Sequence, residues 1–188
     1  CNECPNTPTS PTPLNGGTGV SVGTNLSWTG GDPNVGDTVT YDIYLCSGSG
    51  CTPTYFGTSV GSTTFNPPTD FSEYTEYSWE VVADDGICAS PPVSARWTFT
   101  TSDTTPPICG TETYNPPLGT WTNGNVTVTG ACSSDSGSGC APGPFNKVVT
   151  ANGAGTVEIQ DNAGNTTDCS YDVTNIDKSN PTVSAAQA

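Results

Sequence analysis

Histidine and methionine are absent from the 188 residues, and lysine plus arginine number 3 against 18 acids. Without histidine, Ser–His and Cys–His nucleophile pairs cannot be built. No G-x-S-x-G elbow occurs either. Glu73, Glu76 and Glu80 crowd one stretch, where they read as a solvated face rather than as opposed carboxylates across a cleft. The net charge of −15 repels nucleic acid. Arg96, Lys147 and Lys178 are too scattered to form a basic patch. No apolar run approaches the roughly 18 to 20 residues of a membrane helix. There is no initiator Met and no signal-peptide pattern, so the chain reads as processed or excised from something longer. With 22 Gly and 17 Pro, long helices are disfavoured. These absences exclude the common catalytic constellations; the expectation is a protein that is not an enzyme and requires no cofactor.

Aromatic and β-branched residues are present, and they alternate. Leu26 and Trp28 share one face of a stretch, as do Val39, Tyr41, Ile43 and Leu45. Tyr77, Trp79, Val81 and Ala83 repeat the pattern, then Trp97 and Phe99. A period of two marks half-buried strands. Turn-forming clusters such as TGGDPNVGD, CSGSGC and ADDGICASPP separate them. The pattern stops at TSDTTPP and resumes with Trp121, Val126 and Val128, then 145–150, Val157 with Ile159, and Cys169, Tyr171 and Val173. The fold expected is all-β, with two β-sandwich domains in tandem. Residues 1–13 form an extended, proline-rich leader, 14–102 the first sandwich and 103–108 a linker. Residues 109–178 form the second sandwich, and 179–188 a tail or the truncated start of a further strand.

The stretch LSWTGGDPNVGDTVTYDIYL, with FSEYTEYSWEVVADDG and ARWTFTT, resembles a fibronectin type III module. Trp28 stands at its second-strand tryptophan and Tyr77 at its tyrosine-corner position. The stretch TWTNGNVTVTGACSSDSGSGC, with VEIQDNAGNTTDCSYDVTNIDK, resembles the immunoglobulin-like repeats of bacterial surface proteins. Such repeats occur in tandem. The resemblance implies architecture and surface location, not a chemistry.

Nine cysteines point to an oxidising compartment, hence to a secreted or cell-surface protein. Zinc competes poorly, because histidine is absent and Cys1 and Cys4 form the only C-x-x-C spacing. Cys46 with Cys51 and Cys132 with Cys140 close short loops. Cys88 lies within reach of the leader, so Cys4 with Cys88 would pin it. Cys109 and Cys169 sit on first and last strands, which are neighbours in many sandwiches. Cys1 is left over and is the candidate for an intermolecular bond.

Calcium is the candidate ion. In a fibronectin-like sandwich the loops carrying Asp32, Asn34 and Asp37 and then Asp84 and Asp85 share one end. Asp135, Asp161, Asn162 and Asn165 repeat the idea in the second module, with Asp103 available from the linker. Hard cations want such oxygens, yet Asp, Asn and Gly are also the ordinary turn formers. Asn25, Asn125 and Asn165 head N-x-[ST] sequons, the acceptor pattern for glycosylation. Trp121 could stack on a sugar, although a core or inter-module packing role is favoured.

The expected function is that of a structural subunit or repeat segment of an extracellular fibre or stalk. Its partners are copies of itself or further tandem repeats, and its termini are candidates for strand exchange with a neighbour. The alternative is an adhesive or carbohydrate-binding module with surface glycans as partners.

Overall fold

A computed structural model of the chain describes residues 2–180. Those residues contain strands and turns and no helix, so the protein is all-β. The chain divides into two compact units, Cys1–Asp103 and Thr104–Ala188.

The first unit holds β1 (Thr9–Thr12), β2 (Gly17–Val20), β3 (Leu26–Thr29), β4 (Thr40–Ser47), β5 (Thr54–Val60), β6 (Thr64–Phe65), β7 (Glu76–Asp84) and β8 (Trp97–Thr101). One sheet runs β1-β3-β6 and the other β2-β8-β7-β4-β5. Alternation in β4 and β7 puts Tyr41, Ile43, Trp79, Val81 and Ala83 on one buried face. Trp28 from the smaller sheet meets it edge-on, at 5.2 Å from Tyr41 and 6.3 Å from Trp79 between ring centroids. Trp97 packs on Trp79 at 4.8 Å. Gly57 of β5 lets Phe65 approach, because a Cβ there would fall 2.5 Å from that ring.

The leader belongs to this body. The Pro5, Pro8 and Pro13 rings are buried, and Thr9–Thr12 pairs with β3 as an edge strand, where a proline's missing N–H is tolerated. The chain then crosses to the other sheet, where β2 lies parallel to β8. The extended leader is thus pinned to the body, as the Cys4–Cys88 pairing leads one to expect, and burial of those rings and the ladder to β3 use it within its own unit. Exchange of this segment with a neighbour would have to break both. The C-terminal half of that expectation rests on residues 181–188, outside the described residues.

The second unit holds β9 (Ile108–Cys109), β10 (Thr113–Asn115), β11 (Val126–Gly130), β12 (Cys132–Ser134), β13 (Phe145–Val149), β14 (Gly153–Gln160) and β15 (Thr166–Val173). Its ladders are β10-β11-β13, β12-β9 and β14-β15. The core is thin and aliphatic: Val126, Val128, Val149, Val157, Ile159, Val173 and Ile176, with Cys169 among them. Gly130 of β11 lies so close to β14 that a Cβ would meet Val157 at 2.9 Å. Trp121 is not in this core. It lies in the loop before β11 and is 68% exposed, which corrects the core role expected for it.

The described residues form four disulfides: Cys4–Cys88, Cys46–Cys51, Cys109–Cys169 and Cys132–Cys140. These are the pairings expected from the sequence; Cys1 lies outside the described residues. In the loop-entropy account the two long loops each contribute about 4–5 kcal/mol and the two short ones about 2–3. Four such bonds require an oxidising environment to form and persist.

Trp79→Ala should cost about 3–5 kcal/mol, from lost transfer energy and the cavity left in the aromatic core. Trp121→Ala should stay within about 0.5 kcal/mol. Urea unfolding of both variants checks the contrast, and equal losses would contradict the burial assignment.

Candidate functional site

In the first unit, two loops and the leader converge. The β3–β4 loop is shaped by Asp32, whose Oδ1 accepts the Asn34 N–H at 2.7 Å. Asn34 in turn accepts the Glu3 N–H through its Oδ1 at 2.8 Å, and the Asn6 N–H donates to the Gly31 carbonyl. The loop after β7 is closed by Asp85, whose Oδ1 accepts the N–H groups of Ile87 and Cys88, both at 2.8 Å. Its Oδ2 accepts Asn2 Nδ2 at 2.7 Å, beside the Cys4–Cys88 bridge.

Carboxylate oxygens of Asp32, Asp37 and Asp85 consequently lie within 4.8 Å of one another. Asp32 Oδ2 is buried with no hydrogen-bond partner among the described residues. A hollow of about 280 Å³ adjoins Asp32 and Asp37, with Thr38, Tyr41 and Thr63 on its wall. Burial raises the Tyr41 hydroxyl above its ordinary pKa, and the Asp32 charge adds to this, against a Gly31 backbone bond that lowers it. Asp84 is not in this group of three; its Oδ1 accepts the Gly86 N–H and closes a turn. Asn34 also serves the loop rather than the group. Of the four aspartates expected here, the fold gathers three.

The second unit uses its expected ligands differently. Asp135 Oδ2 accepts the Gly137 and Gly139 N–H groups, at 3.0 and 2.8 Å. Asp161 is buried; its Oδ1 accepts the N–H groups of Gly164 and Asn165, and its Oδ2 accepts Asn165 Nδ2. Asn162 Nδ2 donates to the Ser138 and Cys140 carbonyls. Oxygens of Asp135 and Asp161 do fall within 4.8 Å of each other, but the hydrogen bonds of each close its own turn, and Asn162 ties the two turns together. Asp103, at the end of the first unit, is buried.

Asn25 and Asn125 present exposed sequon side chains. Asn165 is half-buried, and the nitrogen a glycan would occupy is engaged with Asp161. Its place in the turn opposes modification.

A second loop cluster, at 116–125, 150–152 and 174–178, went unread in the sequence. Buried Asn175 donates its Nδ2 to the Pro117 and Thr120 carbonyls, at 3.2 and 2.7 Å. Thr122 exchanges backbone bonds with Asn175 and Asp177. Asn152 Nδ2 donates to the Ile176 carbonyl, and the Ile176 N–H returns to Asn152 Oδ1. Lys178 Nζ donates to Asn125 Oδ1 and to the Thr150 carbonyl. Asn152–Gly153 is a visible turn signal, but nothing local marks its partner at Ile176. The cluster holds exposed Trp121 and Leu118 on a fixed loop.

No protein-family model and no curated protein matches this chain. No helix of the described residues is long and apolar enough to cross a membrane.

Hydrogen bonds from Asn2, Ile87 and Cys88, in that order of weight, hold the Asp85 carboxyl below its ordinary 3.8. A lowered folded-state pKa stabilises above the unfolded value and is lost as pH falls through the folded one. The stabilisation by Asp85 should thus be intact at neutral pH and vanish in acid below 3.8. Asp85→Asn should narrow the gap to wild type over the same acid range, as read from thermal melts against pH; a gap that widens in acid would contradict it.

Proposed function

We propose that this chain is a non-catalytic structural segment of an extracellular surface fibre or stalk, built from a fibronectin type III-like and an immunoglobulin-like sandwich. The observation that carries the reading is where the long disulfides sit. Cys4 and Cys88 are 84 positions apart, near the two ends of the first unit; Cys109 and Cys169 are 60 apart in the second. Tension entering at Cys4 passes through the bond to Cys88 and bypasses 5–87, where most of the core residues reside. Only 89–103 can straighten before the load leaves the unit. At about 3.5 Å per residue, that releases about 50 Å in place of about 350 Å. In the second unit the bypass spans 110–168 in the same way.

Two local features support the module resemblance. The Tyr77 hydroxyl accepts the Ser72 N–H at 2.9 Å, a bond to backbone five residues upstream, as in a tyrosine corner. Trp28 on β3 packs against the opposite sheet. The oxidising chemistry that four disulfides demand agrees with secretion or surface display.

Single-molecule pulling tests this. Oxidised chain should show about 50 Å of release for the first unit, and reduced chain about 350 Å. Equal extensions in both states would refute a load-bearing role for the bridges.

Calcium belongs to the same proposal. Asp32, Asp37 and Asp85 would hold it, and the buried, unpartnered Asp32 Oδ2 supports a cation there. A bound ion stabilises by about 2.7 kcal/mol at a hundredfold excess over its Kd. Added calcium should raise the melting temperature of wild type and leave Asp32→Asn little changed. No shift in wild type, or an equal shift in both, would exclude the site.

A further inference from the structure

We propose that the two loop clusters are complementary docking surfaces through which one copy of this chain binds the next, head to tail. The inference rests on the structural reading above and names the partner: a second copy.

The first cluster is acidic and tipped with apolar side chains. Glu3, Asp32, Asp37, Asp84 and Asp85 lie there with no lysine or arginine among them. Val35 is fully exposed and Ile87 is 66% exposed, on the two loops that the leader ties down through Asn2, Glu3, Asn6 and the Cys4–Cys88 bridge. Exposed apolar side chains on bridged and hydrogen-bonded loops lose little conformational freedom when covered. Two such surfaces cannot face each other, because their carboxylates would be opposed at close range. A symmetric contact through this cluster is therefore disfavoured, and its partner must be apolar without excess negative charge.

The second cluster fits that description. It carries one of the three basic residues, Lys178, with Asp177 beside it, so its formal charge balances. Arg96 pairs with Glu80 elsewhere, and Lys147 lies on β13. Trp121 and Leu118 stand exposed on a loop that buried Asn175 fixes from below. An indole on a rigid support is the kind of anchor that dominates interfaces. In the calcium-free chain, placing Lys178 over the acid group and Trp121 against Val35 and Ile87 satisfies both charge and apolar surface. The two surfaces differ, so the contact is heterologous, and each added copy presents another unused surface of each kind.

Sedimentation velocity on the intact, oxidised chain tests the proposal, at low salt and with calcium or a chelator. Wild type should self-associate with rising concentration, and more weakly as salt rises. Trp121→Ser should weaken association by about tenfold or more. Lys178→Glu alone should lose it, and so should Asp37→Lys alone. Their equimolar mixture should regain it, since every contact then again pairs opposite charges. Circular dichroism would show that each variant is folded. A wild type that stays monomeric throughout overturns the proposal. So does a mixture that fails to recover, or association that needs calcium yet ignores Trp121 and Lys178. Glycan capture by a strictly monomeric chain would also overturn it and assign Trp121 to sugar. None of these outcomes alters the extension measured by pulling, so the structural reading stands or falls separately.

Discussion

Covalent closure across long stretches of chain is the constraint on which the rest depends. Cys4–Cys88 and Cys109–Cys169 each join the beginning of a unit to its later part. The closing bonds matter most where burial contributes least. The second unit assembles its core from valines and isoleucines, with Cys169 fully inside. Such side chains remove less apolar surface from water than the aromatics of the first unit, so restricting the unfolded chain matters more here.

The first unit solves the same problem with aromatics. Trp28, Tyr41, Trp79 and Trp97 fill the space between its sheets, and Phe71, Tyr77 and Phe99 form a second stack beyond them. Its bridge does a more local service as well. By holding Cys88 against the leader, it sets the loop that presents Asp85 next to Asp32 and Asp37. Stability and the acid group therefore share one bond, and reduction would disturb both together.

Strands buried on one face were legible because their side chains obey a period of two. β4 and β7 announce themselves through Tyr41–Leu45 and Tyr77–Ala83. β5, with Tyr55 and Val60 exposed and Phe56 only half-buried, shows no such contrast, and it is an edge strand. The leader was legible as extended chain but not as core: proline reads as a breaker, while Pro5, Pro8 and Pro13 serve here as buried apolar surface. Trp121 misled because hydrophobicity alone does not reveal that a loop is held by an asparagine 54 positions away. Of the candidate ion ligands, the aspartates were visible as residues. Which of them converge depends on turn geometry: Asp84 closes its own turn while Asp85 reaches across to Asn2.

The placement of the bridges also determines what a tryptic nick would do. Cleavage after Lys147 falls inside the loop that Cys109 and Cys169 close, so both fragments stay covalently joined. Cleavage after Arg96 falls outside every disulfide loop of the described residues and would sever the polypeptide into two pieces. That bond lies between an exposed arginine, paired with Glu80, and buried Trp97 at the start of β8. A protease must therefore peel an inner strand from its sheet before it can cut where cutting matters.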